Sequence, residues 1–82
     1  MPLKKYQLVE VEWMDSCTDR GWHSREEYLK TIAVDRCRTA GYLLKSSRTS
    51  LTVVQSQSDL TGNLTDSITI PRSAVKSVRK LV

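Results

Sequence analysis

Long apolar runs are missing from this chain: hydrophobic residues come in short clusters such as Leu43-Leu44 and Val53-Val54, far below the roughly 18 needed to cross a bilayer. A membrane-spanning helix is therefore not expected. The N-terminal Met1-Pro2-Leu3-Lys4-Lys5-Tyr6 carries the charge of a signal peptide, but no apolar stretch follows before Glu10, so the expected location is a cytoplasm. Cysteine is scarce as well. Cys17 and Cys37 are too few for the disulfide framework of a small secreted domain, and their spacing fits no zinc pattern, so both read as reduced thiols that pack as small hydrophobes. Histidine occurs once, at His23, which leaves little for acid–base chemistry. No metal or cofactor is implied.

What is present describes one globular unit. With 82 residues there is room for a single core over residues 1–82, and 39% hydrophobic with 27% charged residues is far from the profile of a disordered chain. Thirteen basic against 9 acidic residues give a net charge of +4, a moderate excess that favours anionic partners only slightly.

From Tyr6 to Met14 the residues alternate, with Val9, Val11 and Trp13 on one face and Leu8, Glu10 and Glu12 on the other, the period of a half-buried strand. The cluster Asp15-Ser16-Cys17-Thr18-Asp19-Arg20-Gly21 then predicts a structured loop. Ser24 and Glu27 have the spacing of a capping box, in which the hydroxyl accepts from the Glu27 amide and the carboxylate reaches back to the Ser24 amide. A helix over about residues 25 to 35 follows, with Tyr28, Leu29, Ile32 and Ala33 as a narrow apolar stripe that would cover one open end or side of a sheet.

After Arg38-Thr39-Ala40-Gly41, read as a connection, Tyr42–Lys45 and Leu51–Ser56 predict a hairpin joined by the polar residues 46–50. Residues 58–64 predict an exposed loop with Gly62-Asn63 at its tip, and Ser67–Ile70 a fourth strand that Pro71 ends. Arg72 to Val75 make a tight turn, and Val78, Leu81 and Val82 mark the last strand. The class is mainly β, with five short strands and one short helix between the first two. So few residues cannot build two full sheets, and a flat sheet would leave long edges, so a small curled barrel is expected. Edges left on such a barrel favour a homo-oligomer over a monomer.

Two dense motifs carry a resemblance. Trp13-Met14-Asp15-Ser16, four further residues and Gly21-Trp22, followed by Ile70-Pro71-Arg72-Ser73-Ala74-Val75-Lys76-Ser77-Val78-Arg79-Lys80-Leu81, resemble a widespread group of short accessory proteins of tailed bacteriophages and prophages. Together they span nearly the whole chain. The second motif is also similar to the end of Sm-like and Src-homology-3-like barrels, where a strand meets a one-turn helix and a final strand. The resemblance implies a phage-encoded accessory protein acting in the host bacterial cytoplasm. Small phage proteins of this fold class include some that counter host immunity by sequestering nucleotide signals, an analogy that suggests a ligand without fixing one.

The residues that could hold such a ligand lie between Trp13 and Arg25. Trp13, at the inward phase of the first strand, reads as core. Trp22 sits in a loop beside Gly21 and His23, where core burial competes with stacking on a base. Arg20, Arg25, Ser24 and the start of the helix make a candidate anion site, against the simpler reading of a self-satisfied cap with solvated arginines. Asp15 and Ser16 read first as turn chemistry and second as pocket wall. A Ser-His-Asp arrangement of Asp15, Ser16 and His23 has no spacing that fixes its geometry, so an enzyme is not expected. Arg72, Lys76, Arg79 and Lys80 form a second basic group, read as a charge-guarded edge with the side chains outward. The expected function is sequestration of a nucleotide-like anion by Trp22, Arg20, Arg25, Asp15, Ser16, His23 and Ser24. Binding of a host protein or single-stranded nucleic acid is the alternative, and a structural part of the virion a third.

Overall fold

Alternation in the first segment becomes a strand with two fully buried valines, Val9 and Val11, and the sheet is built outward from it. A computed structural model describes residues 4–18 and 20–82, so Asp19 of the turn cluster and the first three residues lie outside the described residues. Strand β1 is Leu8–Asp15, helix α1 Arg25–Thr31, β2 Asp35–Ser46, β3 Ser50–Gln57 and β4 Leu64–Pro71. A one-turn 3-10 helix at Arg72–Ala74 leads into β5, Val75–Lys80. All neighbours pair antiparallel in a single sheet of order β4-β3-β2-β1-β5. The five strands, the helix between the first two and the turn before the last agree in number and order with the sequence reading, but β5 already includes Val75 and ends at Lys80, so Leu81 and Val82 lie beyond the last strand instead of in it. No ladder among the described residues joins the β4 and β5 edges, so the sheet is not closed by hydrogen bonds.

The core is small. Val9, Val11, Leu51, Val53 and Ile70 are buried together, and Trp13, Leu43, Ile68, Ala74 and Val75 pack around them. Val78 lies across the ladder from Val11 but on an edge strand, so it is only half covered. Gly41 marks a close approach of two backbones: a Cβ there would meet the Val54 carbonyl oxygen at 2.7 Å, a main-chain atom that cannot swing aside.

Other expectations change as well. β2 begins at Asp35 and not at Tyr42, so Arg38–Gly41 is strand, not a connection. Its inward positions are Cys37, Thr39 and Gly41, which are small or polar and leave no apolar alternation to read, yet β1 pairs with every one of them. The helix ends at Thr31, short of residue 35, because Ile32 is already extended (φ −68°, ψ 129°) and Asp35 belongs to the ladder opposite Asp15. The β-branched Thr31, Ile32 and Val34 favour that exit. Finally, α1 has no buried residue and covers neither an end nor a side of the sheet.

The reason lies in the register. β5 follows β1 only as far as Trp13, opposite Val75, whereas β1 and β2 continue to the Asp15–Asp35 pair as a two-stranded ribbon. The described residues from Ser16 to Val34 ride on the end of that ribbon as an arm. The molecule accordingly measures 61 × 22 × 22 Å, with a radius of gyration of 17.1 Å against about 12 Å for a compact chain of this length.

Arg72 departs from the outward basic group expected of it. Its Nε donates to the Ser47 carbonyl at 2.9 Å, its Nη2 reaches Ser46 Oγ, and its amide donates to the Thr49 carbonyl at 2.9 Å. The turn before β5 is thereby tied to the β2–β3 hairpin. Arg72→Ala should lower the unfolding free energy by about 1.5–3 kcal/mol, the usual worth of hydrogen bonds to a charged group, while Lys76→Ala on the exposed edge stays within about 0.5 kcal/mol. Gly41→Ala should cost about 1–3 kcal/mol by overpacking. Urea unfolding curves of the three variants check both statements, and equal midpoints for wild type and Gly41→Ala would remove the close-approach argument.

Candidate functional site

The arm tip is a short loop fixed by its own side chains. Gly21 takes φ +96°, a conformation that glycine tolerates, and its carbonyl accepts a hydrogen bond from Tyr28 Oη at 2.7 Å. His23 meets Tyr28 edge to face, with ring centroids 5.0 Å apart. His23 Nε2 lies 3.0 Å from the Arg20 carbonyl oxygen and Nδ1 3.4 Å from Glu27 Oε2, so both ring nitrogens are engaged. Ser24 Oγ accepts from the Glu27 amide at 3.2 Å, the first half of the expected capping box. The reciprocal half is replaced: the Glu27 carboxylate turns to His23 and leaves the Ser24 amide.

This network holds residues 20–28 in one shape and leaves Trp22 fully exposed, with no apolar neighbour to cover it. The core alternative for Trp22 is therefore excluded, whereas Trp13 is half buried against the core as expected and donates from Nε1 to Thr39 Oγ1 at 3.0 Å. Of the predicted site residues, Arg20, Trp22, His23, Ser24 and Arg25 gather at the tip, all exposed. Asp15 and Ser16 sit at the neck of the arm, where Asp15 Oδ1 accepts from the Ser16 amide at 2.8 Å, the turn chemistry read from the sequence. Tyr28, expected in an apolar stripe, is instead the pin of the loop. Among the described residues, no helix is long and apolar enough to cross a membrane.

Cys17 and Cys37 are free thiols. Partial burial first, and then the charge of Asp35, push the Cys37 thiol above its ordinary pKa; Asp15 and Cys17 add to the rise, and the thiol lies 3.7 Å from Asp35 Oδ2. A thiol so placed is a poor nucleophile at neutral pH.

A second charged feature escapes sequence reasoning. On the outer face of β1, β2 and β5, Arg36 Nε lies 3.3 Å from Glu12 Oε1 and Arg79 Nη2 3.1 Å from Glu10 Oε1. Arg38 completes an open depression of about 430 Å³ with Glu12 and Arg36. The only signal for it was the spacing Arg36-x-Arg38, which becomes a cross-strand cluster only once β1 and β2 are placed in register. This face sets two glutamates against three arginines, unlike the tip, where an aromatic surface is offered to solvent.

No family model, no curated protein and no solved structure matches the chain.

The Cys37 environment has a measurable consequence. In a Cys17→Ser background, the alkylation rate of Cys37 with iodoacetamide should rise with pH through a midpoint above that of an ordinary thiol, and Asp35→Asn should move that midpoint down. A midpoint that Asp35→Asn leaves in place would show that the carboxylate does not act on the thiol.

Proposed function

We propose that this protein is a non-enzymatic binding module, a phage-encoded accessory protein that acts in the host bacterial cytoplasm and counters defence by sequestering a nucleotide-like anion at its arm tip. The observation that carries the reading is the exposure of Trp22 on a loop held by four side-chain contacts. Leaving an indole in water forgoes about 1.5–3 kcal/mol of burial, and its rigid face is suited to stacking on a base. Arg20 and Arg25, within three residues on either side, supply charge for a phosphate. His23 and Ser24 hold the loop, and Asp15 and Ser16 frame its neck. The Trp13 to Trp22 motif and the Ile70 to Leu81 motif support the phage assignment. The strand order with a 3-10 turn before β5 supports a Sm-like or Src-homology-3-like barrel as the architecture beneath the arm.

The alternative is a macromolecular partner, a host protein or single-stranded nucleic acid. The open β5 edge favours it, since Lys76 and Lys80 are exposed along a strand with one free side.

Isothermal titration against cyclic and linear nucleotides separates the two. Wild type should bind at least one member of the panel, and Trp22→Ala should weaken it about 5- to 150-fold, the range of one lost stacking contact. Silence across the panel at micromolar protein would overturn the nucleotide reading, and a gel shift with a steep salt slope would then point to nucleic acid.

A further inference from the structure

Strand β2 has a partner on both sides along part of its length and on one side along the rest. β1 pairs with it from Tyr42 up to Asp35 without a register shift, whereas the β3 ladder stops at the Tyr42–Val54 pair. Above that point, the side of β2 away from β1 carries no strand among the described residues. The direction of its backbone groups follows from one bond. Leu43 donates its amide to the Gln7 carbonyl, and in an antiparallel ladder successive residues point their groups to opposite sides, so Cys37, Thr39 and Gly41 face β1 while Arg36, Arg38 and Ala40 turn N–H and C=O away from it. All three of the latter are exposed. A cleft of about 270 Å³, lined by Thr39 and Ala40 of β2 together with Gln55, Asp66 and Ser67 of β3 and β4, opens beside this edge.

Sheet edges are usually blunted against chance pairing, and the two outer edges of this sheet are. β5 carries Lys76 and Lys80 and a register irregularity opposite Glu12 and Trp13. β4 ends on Pro71 and loses the Gln55–Asp66 pair from its ladder, where Asp66 takes φ +60°. From Asp35 to Gly41, β2 has neither a proline nor a register shift. What it carries there is charge. Arg36 and Arg38 lie two apart on the outer face; Arg36 is tied to Glu12 at 3.3 Å, whereas Arg38, directly across the ladder from Glu12, has no ion pair among the described residues. Two β2 edges paired with each other would set these arginines close together, and like charges across a strand pair repel, so the edge selects against a second copy. A strand with carboxylates at alternate positions meets the opposite charge instead.

We infer that the upper edge of β2, from Arg36 to Ala40, is a strand-addition site for an extended acidic segment of a partner protein. The backbone groups of Arg36, Arg38 and Ala40 bond the main chain of the added strand, and Arg38 takes one of its carboxylates. The cleft beside Ala40 gives the end of that strand room. The site lies on the ribbon and not at the arm tip, so it stands independently of the nucleotide reading.

Amide hydrogen exchange tests the geometry on the free chain. The Arg36, Arg38 and Ala40 amides should exchange rapidly between protected Cys37, Thr39 and Gly41. Fluorescence anisotropy with an array of peptides of about seven residues, carrying glutamate or lysine at alternate positions and threonine or valine between, then tests the partner without any nucleotide. Glutamate members should bind and lysine members should not. Methylating the backbone nitrogens of a bound peptide at alternate residues should abolish binding in one phase and spare it in the other. Arg38→Gln should weaken binding about tenfold, the effect of one lost hydrogen bond to a charged group, whereas Lys76→Gln on β5 should leave it unchanged. The bound peptide should protect the Arg36, Arg38 and Ala40 amides. Glutamate peptides that stay silent at about 100 μM protein, lysine peptides that bind equally well, or protection that appears along Val75–Lys80 instead, would overturn the proposal.

Discussion

The ladder between β1 and β2, running from the Leu8–Tyr42 pair to the Asp15–Asp35 pair, is the interaction on which the remaining structure depends. Its lower half is the middle of the sheet, where Val9 and Val11 meet Gly41 and Thr39 across the strands and reach the core formed with Leu51, Val53 and Ile70. Beyond the Trp13–Cys37 pair, at Met14–Arg36 and Asp15–Asp35, β1 has no β5 to lean on. One continuous set of backbone hydrogen bonds therefore serves two ends with different physics: a packed interior below and an exposed ribbon above. Where β5 stops, at Val75 opposite Trp13, decides where one becomes the other.

A core of five fully buried aliphatic side chains is modest, so the connections around it matter more than they would in a larger domain. Arg72 shows how. A guanidinium at the turn between β4 and β5 satisfies carbonyl and hydroxyl groups of the β2–β3 hairpin, joining segments distant in sequence where no ladder joins the sheet's edges. The Thr52–Thr69 hydroxyl pair, 2.8 Å apart across β3 and β4, adds a cross-strand link. These polar ties add links between strands and turns beyond the small apolar core.

Legibility in the sequence followed the size of the inward side chains. β1 could be read because valine, valine and tryptophan repeat at its inward phase, and the turn before β5 because Pro71 removes a donor. The first half of β2 could not, since Cys37, Thr39 and Gly41 occupy that phase and its outward positions are arginines and an alanine. Spacing placed the helix start at Ser24, a local hydrogen bond, and could not place what the helix packs on, which is set by register far along the chain. The same division holds for the site. Residues 20–25 are neighbours in sequence and were gathered by inspection, whereas Tyr28's grip on Gly21 and the Glu12, Arg36 and Arg38 cluster need three-dimensional placement to appear.

Consider finally which groups at the arm remain available for work. His23 is engaged at both ring nitrogens, Ser24 Oγ caps the helix, Asp15 closes a turn, and Cys37 is held toward its protonated form by burial and Asp35. His23, Ser24 and Asp15 thus each spend a side-chain polar atom on local structure at the arm. Trp22 is committed to nothing within the chain. A loop that spends four polar side chains on its own rigidity and presents one indole to solvent is organised to lose little entropy when that indole is covered, and pre-organisation of this kind is a property of binding surfaces. The contrast at the arm is thus between polar side chains turned inward to the loop's own backbone and one indole face turned to solvent.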